Sequence, residues 1–146
     1  MARSRRPSGR KPASSSPSPP ELFCDRSLGA RVVPTRLRQL HGHVVAHDEV
    51  FGRDTDDEVW LREAGRRSWI VLTRDDRIRY RPGERAAILG ADVRCFVLNP
   101  TKGMTGEDMA TALATALPRI LAISAAERGP FIKGVNRRGQ IRNIAP

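Results

Sequence analysis

The chain has 146 residues and a formal charge of +10, from 26 Lys and Arg against 16 Asp and Glu. That length suffices for one domain with a real core. No stretch approaches the roughly 18 consecutive apolar residues of a membrane span, and the basic amino terminus lacks the apolar h-region of a secretory signal, so the cytoplasm is the expected location.

Residues 1–20 are rich in Arg, Ser and Pro, with five basic residues and no acid. So little apolar surface cannot offset ordering entropy, and a disordered basic arm is predicted. Folding is predicted to begin at Glu21, with a short strand Leu22–Cys24 running into Asp25. Ser27 is placed to cap a helix carrying Leu28, Val32, Val33, Leu37 and Leu40, with Pro34 kinking it or opening its second half and Gly42 ending it. His43–His47 form a second strand running into Asp48 and Glu49. Thr55-Asp-Asp-Glu58 has the form of a capping box, opening a helix that buries Trp60, Leu61 and Ala64 and stops at Gly65.

Trp69–Thr73 is aromatic, aliphatic and β-branched, the pattern of a strand buried on both faces, and it ends at Asp75 and Asp76. Pro82 is placed as the first residue of a short helix ending at Gly90. Val93–Leu98 is the fourth strand, running into Asn99. After a loop from Pro100 to Gly106, a helix spans Glu107–Glu127, which Pro118 should bend or divide. Residues 131–144 read as a β-hairpin turning near Asn136–Gly139, with four basic residues and no acid. Cys24 and Cys95 each lie inside an apolar strand, where a thiol is buried, reduced and inert. The alternation predicts an α/β domain of three layers with right-handed crossovers and a central, mainly parallel sheet of about four strands, followed by the hairpin.

Ligands of open α/β sheets bind beyond the carboxyl ends of the strands, which is where these acids fall. Several carboxylates converging there suit Mg²⁺ or Mn²⁺, hard cations that take oxygen ligands. A basic body around an acidic pocket suits a polyanion held at a metal, and the chemistry indicated is cleavage of a nucleic-acid phosphodiester. Asp25 and Asp75 follow buried strands directly. Asp76 is a further candidate or a turn residue, and Asp48 and Glu49 are candidates or solvated charge. Among Asp54, Asp56, Asp57 and Glu58, acids are expected in a first helical turn in any case. Arg74, Arg77, Arg79 and Arg81 flank this rim and Arg26 adjoins Asp25, placed to contact phosphates; Tyr80 and Phe51 are the aromatic candidates for stacking bases. His41, His43 and His47 have no partner motif for zinc. Neither a dinucleotide fingerprint nor a P-loop is present.

These residues resemble PIN and PIN-like domains, most closely the PIN-like VapC-type toxins of bacterial toxin–antitoxin pairs. Phe23-Cys-Asp25-Arg-Ser-Leu28, His47-Asp-Glu49, Asp57-Glu-Val-Trp60 and Val71-Leu-Thr-Arg-Asp75 carry the resemblance, over roughly Leu22 to Val135. Thr73-Arg-Asp75 matches the family's Thr-x-Asp, Asp25 its first acid, and Asp57 with Trp60 its acid ahead of a helical Ile or Trp. The resemblance implies a PIN-like nuclease domain over residues 21–146: a Mg²⁺- or Mn²⁺-dependent endoribonuclease, usually dimeric and inhibited by a cognate antitoxin. It implies Asp25, Asp57 and Asp75 as catalytic metal ligands with Asp76 as a fourth, and RNA phosphates on Arg26, Arg74, Arg77 and Arg79. Asp56 and Glu58 compete with Asp57 as the second acid, and Asp48 with Asp76 as the fourth. The alternatives are a catalytically inactive RNA- or protein-binding module of the same fold, or a deoxyribonuclease with the same metal chemistry.

Overall fold

The computed structural model describes residues 19–99 and 103–145, with 76, 79 and 145 described by their backbone alone. The expected arm, save Pro19 and Pro20, and the first part of the loop after Asn99 lie outside the described residues.

The elements run β1 (Leu22–Cys24), α1 (Val32–Leu40), β2 (Val44–Ala46), the one-turn α2 (His47–Val50), α3 (Asp57–Arg66), β3 (Ile70–Thr73), α4 (Pro82–Gly90), β4 (Arg94–Leu98), α5 (Gly106–Ala126), β5 (Phe131–Val135) and β6 (Ile141–Ala145). The strands form one sheet in the order β2-β1-β3-β4-β5-β6, parallel throughout except for the last pair. The expected sheet of about four strands is thus six. The hairpin is no appendage: β5 pairs in parallel with β4 and carries β6 to the edge.

The central strands bury both faces, which is why they read as unbroken apolar runs. Leu22, Cys24, Ile70, Leu72, Phe96 and Leu98 face one core, closed by α1 and α5. Phe23, Val71, Cys95 and Val97 face the other, closed by α3 and α4. This period of two across neighbouring strands makes the three-layer α/β/α sandwich. Phe23 anchors the second core, stacked on Trp69 (centroids 5.1 Å apart, planes 5° off parallel) and tilted against Trp60 at 5.1 Å. Such pairs add about 0.5–1.5 kcal/mol each beyond area burial.

The direction in which strands are added to the sheet reverses at β1 and β3. The chain leaves β1 for β2 on one side, then crosses back over β1 to β3. The carboxyl ends of β1 and β3 therefore flank the switch point, the usual place for a ligand in such sheets. The next two crossovers both step outward, yet α4 covers one face and α5 the other. They have opposite hands, so the expectation of uniformly right-handed connections fails at the step from β4 to β5.

Several local expectations give way to tertiary packing. Ser27 does not cap a helix; a 3₁₀ turn at Arg26–Leu28 precedes α1, and the hydroxyl is committed elsewhere. Pro34 sits in the first turn of α1, where its missing N–H costs nothing. Thr55 forms no capping box: α3 starts at Asp57 behind Asp56, and it runs through Gly65 to Arg66. The second strand is shorter than expected, Val44–Ala46, and His47 belongs to α2. Pro118 does not divide α5. The proline is exposed, while Leu113, Ala116, Leu117 and Ile120 around it pack on one continuous sheet face. Their burial outweighs the roughly 3 kcal/mol cost of an interior proline. α5 is long and apolar enough to cross a membrane, but here its apolar stripe covers the sheet.

Candidate active site

The backbone N–H of Asp25 bonds to Leu72 O at 2.9 Å, which brings Asp25 level with Thr73 at the end of β3. Asp25 is 7% exposed. Asp25 Oδ2 accepts from Ser27 Oγ and from Thr73 Oγ1, both at 2.8 Å. The same hydroxyls are acceptors too: Arg74 N–H donates to Ser27 Oγ (2.8 Å) and Asp75 N–H to Thr73 Oγ1 (3.1 Å). Ser27 and Thr73 thus couple the turn after β1 to the turn after β3.

Asp75 ends β3 and makes an Asx turn, its Oδ1 accepting from Arg77 N–H at 3.1 Å and from Arg77 Nε at 3.0 Å. Asp57 opens α3, and its Oδ1 accepts from Trp60 Nε1 at 2.8 Å. Trp60 is 1% exposed, so a rigid indole aims this carboxylate. The spacing of three residues makes the pair possible on a helix.

Asp25, Asp57 and Asp75 line one cavity of about 460 Å³, together with Arg26, His47 and Asp48. Of the three acids left open in the first turn of α3, Asp57 alone lines it with Asp25 and Asp75. Asp56 is exposed, and Glu58 pairs with Arg62 at 3.6 Å. Asp48 is held by His47 Nδ1 (2.9 Å) and, more loosely, by Arg26 Nε (3.9 Å). Glu49 turns away to Arg38, and Ala46 N–H with Arg38 lowers its pKa. Asn99 does not line the cavity; its N–H joins Val135 O. The side chains of Asp76 and Arg79 lie outside the described residues.

One acid here was not anticipated. Glu84, at the third position of α4, brings an oxygen within 4.8 Å of one from Asp57 and one from Asp75. Arg81 donates to its Oε2 at 3.1 Å and stands 4.0 Å from Asp75 Oδ2. Burial pushes the Glu84 carboxyl above the ordinary glutamate range; Arg81 opposes this, and Asp57 and Asp75 push it further up. In sequence, Glu84 is indistinguishable from any acid in a first helical turn.

Among the basic residues, Arg77 and Arg81 both engage the site's carboxylates. Arg26 is exposed on the cavity wall, its guanidinium donating to Arg53 O. Arg74 is half-buried and contributes through its backbone. Phe51 is no stacking platform: it is half-buried, with its ring edge-on to Phe23 at 5.9 Å. Tyr80 is 66% exposed.

The donor set is all oxygen. Cys24 and Cys95 are buried in the cores, and no histidine joins a metal-like cluster among the described residues. Carboxylates at this spacing fit a hard divalent cation such as Mg²⁺ or Mn²⁺ and not a thiolate or imidazole metal.

Residues 20–100 match the sequence profile of the family described as PIN like domain. Over 119 residues the chain is 31% identical to "Putative ribonuclease VapC45" of Mycobacterium tuberculosis (strain ATCC 25618 / H37Rv), covering 79% of this chain and 85% of that protein. No solved structure gives a significant match.

Proposed function

The chain belongs to the PIN-like domain family, and from that premise we propose that it is a metal-dependent endoribonuclease, the toxin of a toxin–antitoxin pair. The observation that carries the reading is the convergence of Asp25, Asp57 and Asp75, from three separate segments, on one cavity at the sheet's switch point. The ribonuclease named among its relatives supports the choice of RNA.

In this reading Asp25, Asp57 and Asp75 would hold Mg²⁺ or Mn²⁺, which when bound would supply the charge that polarises a scissile phosphate and lowers the pKa of an attacking water. Ser27 and Thr73 hold Asp25 Oδ2, leaving Oδ1 for the ion. Trp60 does the same service for Asp57, so that neither carboxylate pays rotamer entropy on binding. Arg26 contacts the incoming phosphate from the cavity wall, and Arg77 exchanges Asp75 for phosphate oxygen as RNA enters. Phosphate contact by Arg74 and Arg79, which the family resemblance implies, is part of the proposal. A net charge of +10 draws the polyanion to the surface without reading its sequence. The proposal includes a cognate antitoxin protein, a homodimer and a cytoplasmic setting.

The test is cleavage of a bulk cellular RNA pool by the purified chain with Mn²⁺, with Mg²⁺ and with EDTA, alongside Asp25→Asn. Cleavage that needs the metal and disappears in the variant is expected. A folded, metal-loaded protein that cuts nothing would favour the binding-module alternative, and cleavage persisting in EDTA would refute metal dependence.

A further inference from the structure

We propose that Glu84 is a direct ligand of the divalent cation, completing with Asp57 and Asp75 a site that α4 delivers to the carboxylate rim. This rests on the reading of the acidic cavity as a cation site, and it adds a residue that neither the family resemblance nor the strand-end argument assigns.

Three observations carry it. The first is proximity: one oxygen from each of Asp57, Asp75 and Glu84 lies within 4.8 Å of the others, close enough for one ion to bridge them. The second is an unmet need. Glu84 is 9% exposed, and its Oε1 is buried without any hydrogen-bond partner. A buried carboxylate oxygen without a partner costs free energy, and on a carboxylate that already lies close to two others a cation would supply the missing partner.

The third is the way the helix is brought in. A Cβ at Gly83 would meet Glu58 Oε2, the end of a flexible side chain, so the first turn of α4 lies directly against the first turn of α3. That seating sets Glu84 beside Asp57. Asp57 and Glu84 each lie in the first turn of their helix, where the positive end of the helix dipole favours a carboxylate.

The bland account is that a glutamate at the third helical position merely serves the helix end. That account predicts a solvated carboxylate, or one reaching back to the backbone N–H of the capping residue. Glu84 does neither: it is buried, and its bond is to the Arg81 side chain. Arg81, also close to Asp75, holds the two carboxylates toward each other.

The experiment is Mn²⁺ binding to the full chain, followed by calorimetry and by the loss of the free-ion electron paramagnetic resonance signal. Wild type, Glu84→Gln, Glu84→Asp and the surface control Glu63→Gln are compared, with circular dichroism to verify folding. We expect Glu84→Gln to weaken Mn²⁺ binding about tenfold or more, Glu84→Asp to weaken it less, and Glu63→Gln to leave it unchanged. If Glu84→Gln does not fold, Glu84→Asp carries the test. Binding by a folded Glu84 variant equal to that of Glu63→Gln would overturn the assignment of Glu84 and leave the cation reading standing. Absence of binding by the wild type would overturn both.

Discussion

Thr73 Oγ1 donates to Asp25 Oδ2 at 2.8 Å, joining two residues 48 positions apart at the ends of adjacent parallel strands. Thr73 is 1% exposed, and the same oxygen accepts the N–H of Asp75. One hydroxyl therefore orients an acid on one strand and the turn that presents an acid on the next. Thr73→Val keeps the shape and β-propensity but removes both bonds. It should cost about 1–3 kcal/mol, the penalty for buried polar groups left unpaired, measurable by urea denaturation. Nuclease activity should fall roughly tenfold or more, as when a ligand's supporting hydrogen bond is lost. Unchanged activity in a destabilised variant would show that Asp25 needs no such orientation.

Gly65 offers a test of packing against propensity. It lies inside α3, where alanine is intrinsically better by about 1 kcal/mol. A Cβ there would overlap Ala91 O and lie 2.6 Å from Ala91 Cβ, just past the end of α4. Because the obstacle includes backbone, Gly65→Ala should destabilise by about 1–3 kcal/mol despite the better helix former. Gly90→Ala is the matched control: nothing lies within 4 Å of its Cβ. It should be neutral or stabilising by up to about 1 kcal/mol. Thermal melts of the two variants should move in opposite directions, or one down and the other not at all.

The cysteines should be silent in the native protein. Burial pushes the Cys24 thiol up to about 12, and burial raises the Cys95 thiol as well. The thiolate is the reactive form, so near neutral pH both are protonated as well as covered. Cys24 faces the core beneath α1 and α5 while Cys95 faces the core beneath α3 and α4, so the sheet separates them. Ellman's reagent should find no fast-reacting thiol in the folded chain and two in guanidinium chloride. Rapid reaction of native protein would contradict the burial.

Much of this architecture was readable without coordinates, because its signals are local. A strand buried on both faces is an almost unbroken apolar run, so Leu22–Cys24, Ile70–Thr73 and Arg94–Leu98 stood out within about one residue of their ends. An acid closing such a strand is conspicuous for the same reason, which marked Asp25 and Asp75. The three-residue spacing between Asp57 and Trp60 also survives in the chain as written, since one helical turn is enough to join them.

What the chain alone left undecided depends on segments meeting at a distance. Glu84 joins the acids because α4 packs against α3, a contact with no trace in the local pattern around residue 84. The same holds for Arg77 and Arg81, whose charge was evident but whose carboxylate partners were not. Ser27 looked like a helix cap until β3 brought Thr73 to within 3.1 Å of its hydroxyl. Hydrophobic periodicity and turn chemistry act over a few residues and are written in sequence. The choice of hydrogen-bond and ion partners in a buried site is made by packing, which ranks the available groups only once the layers have closed.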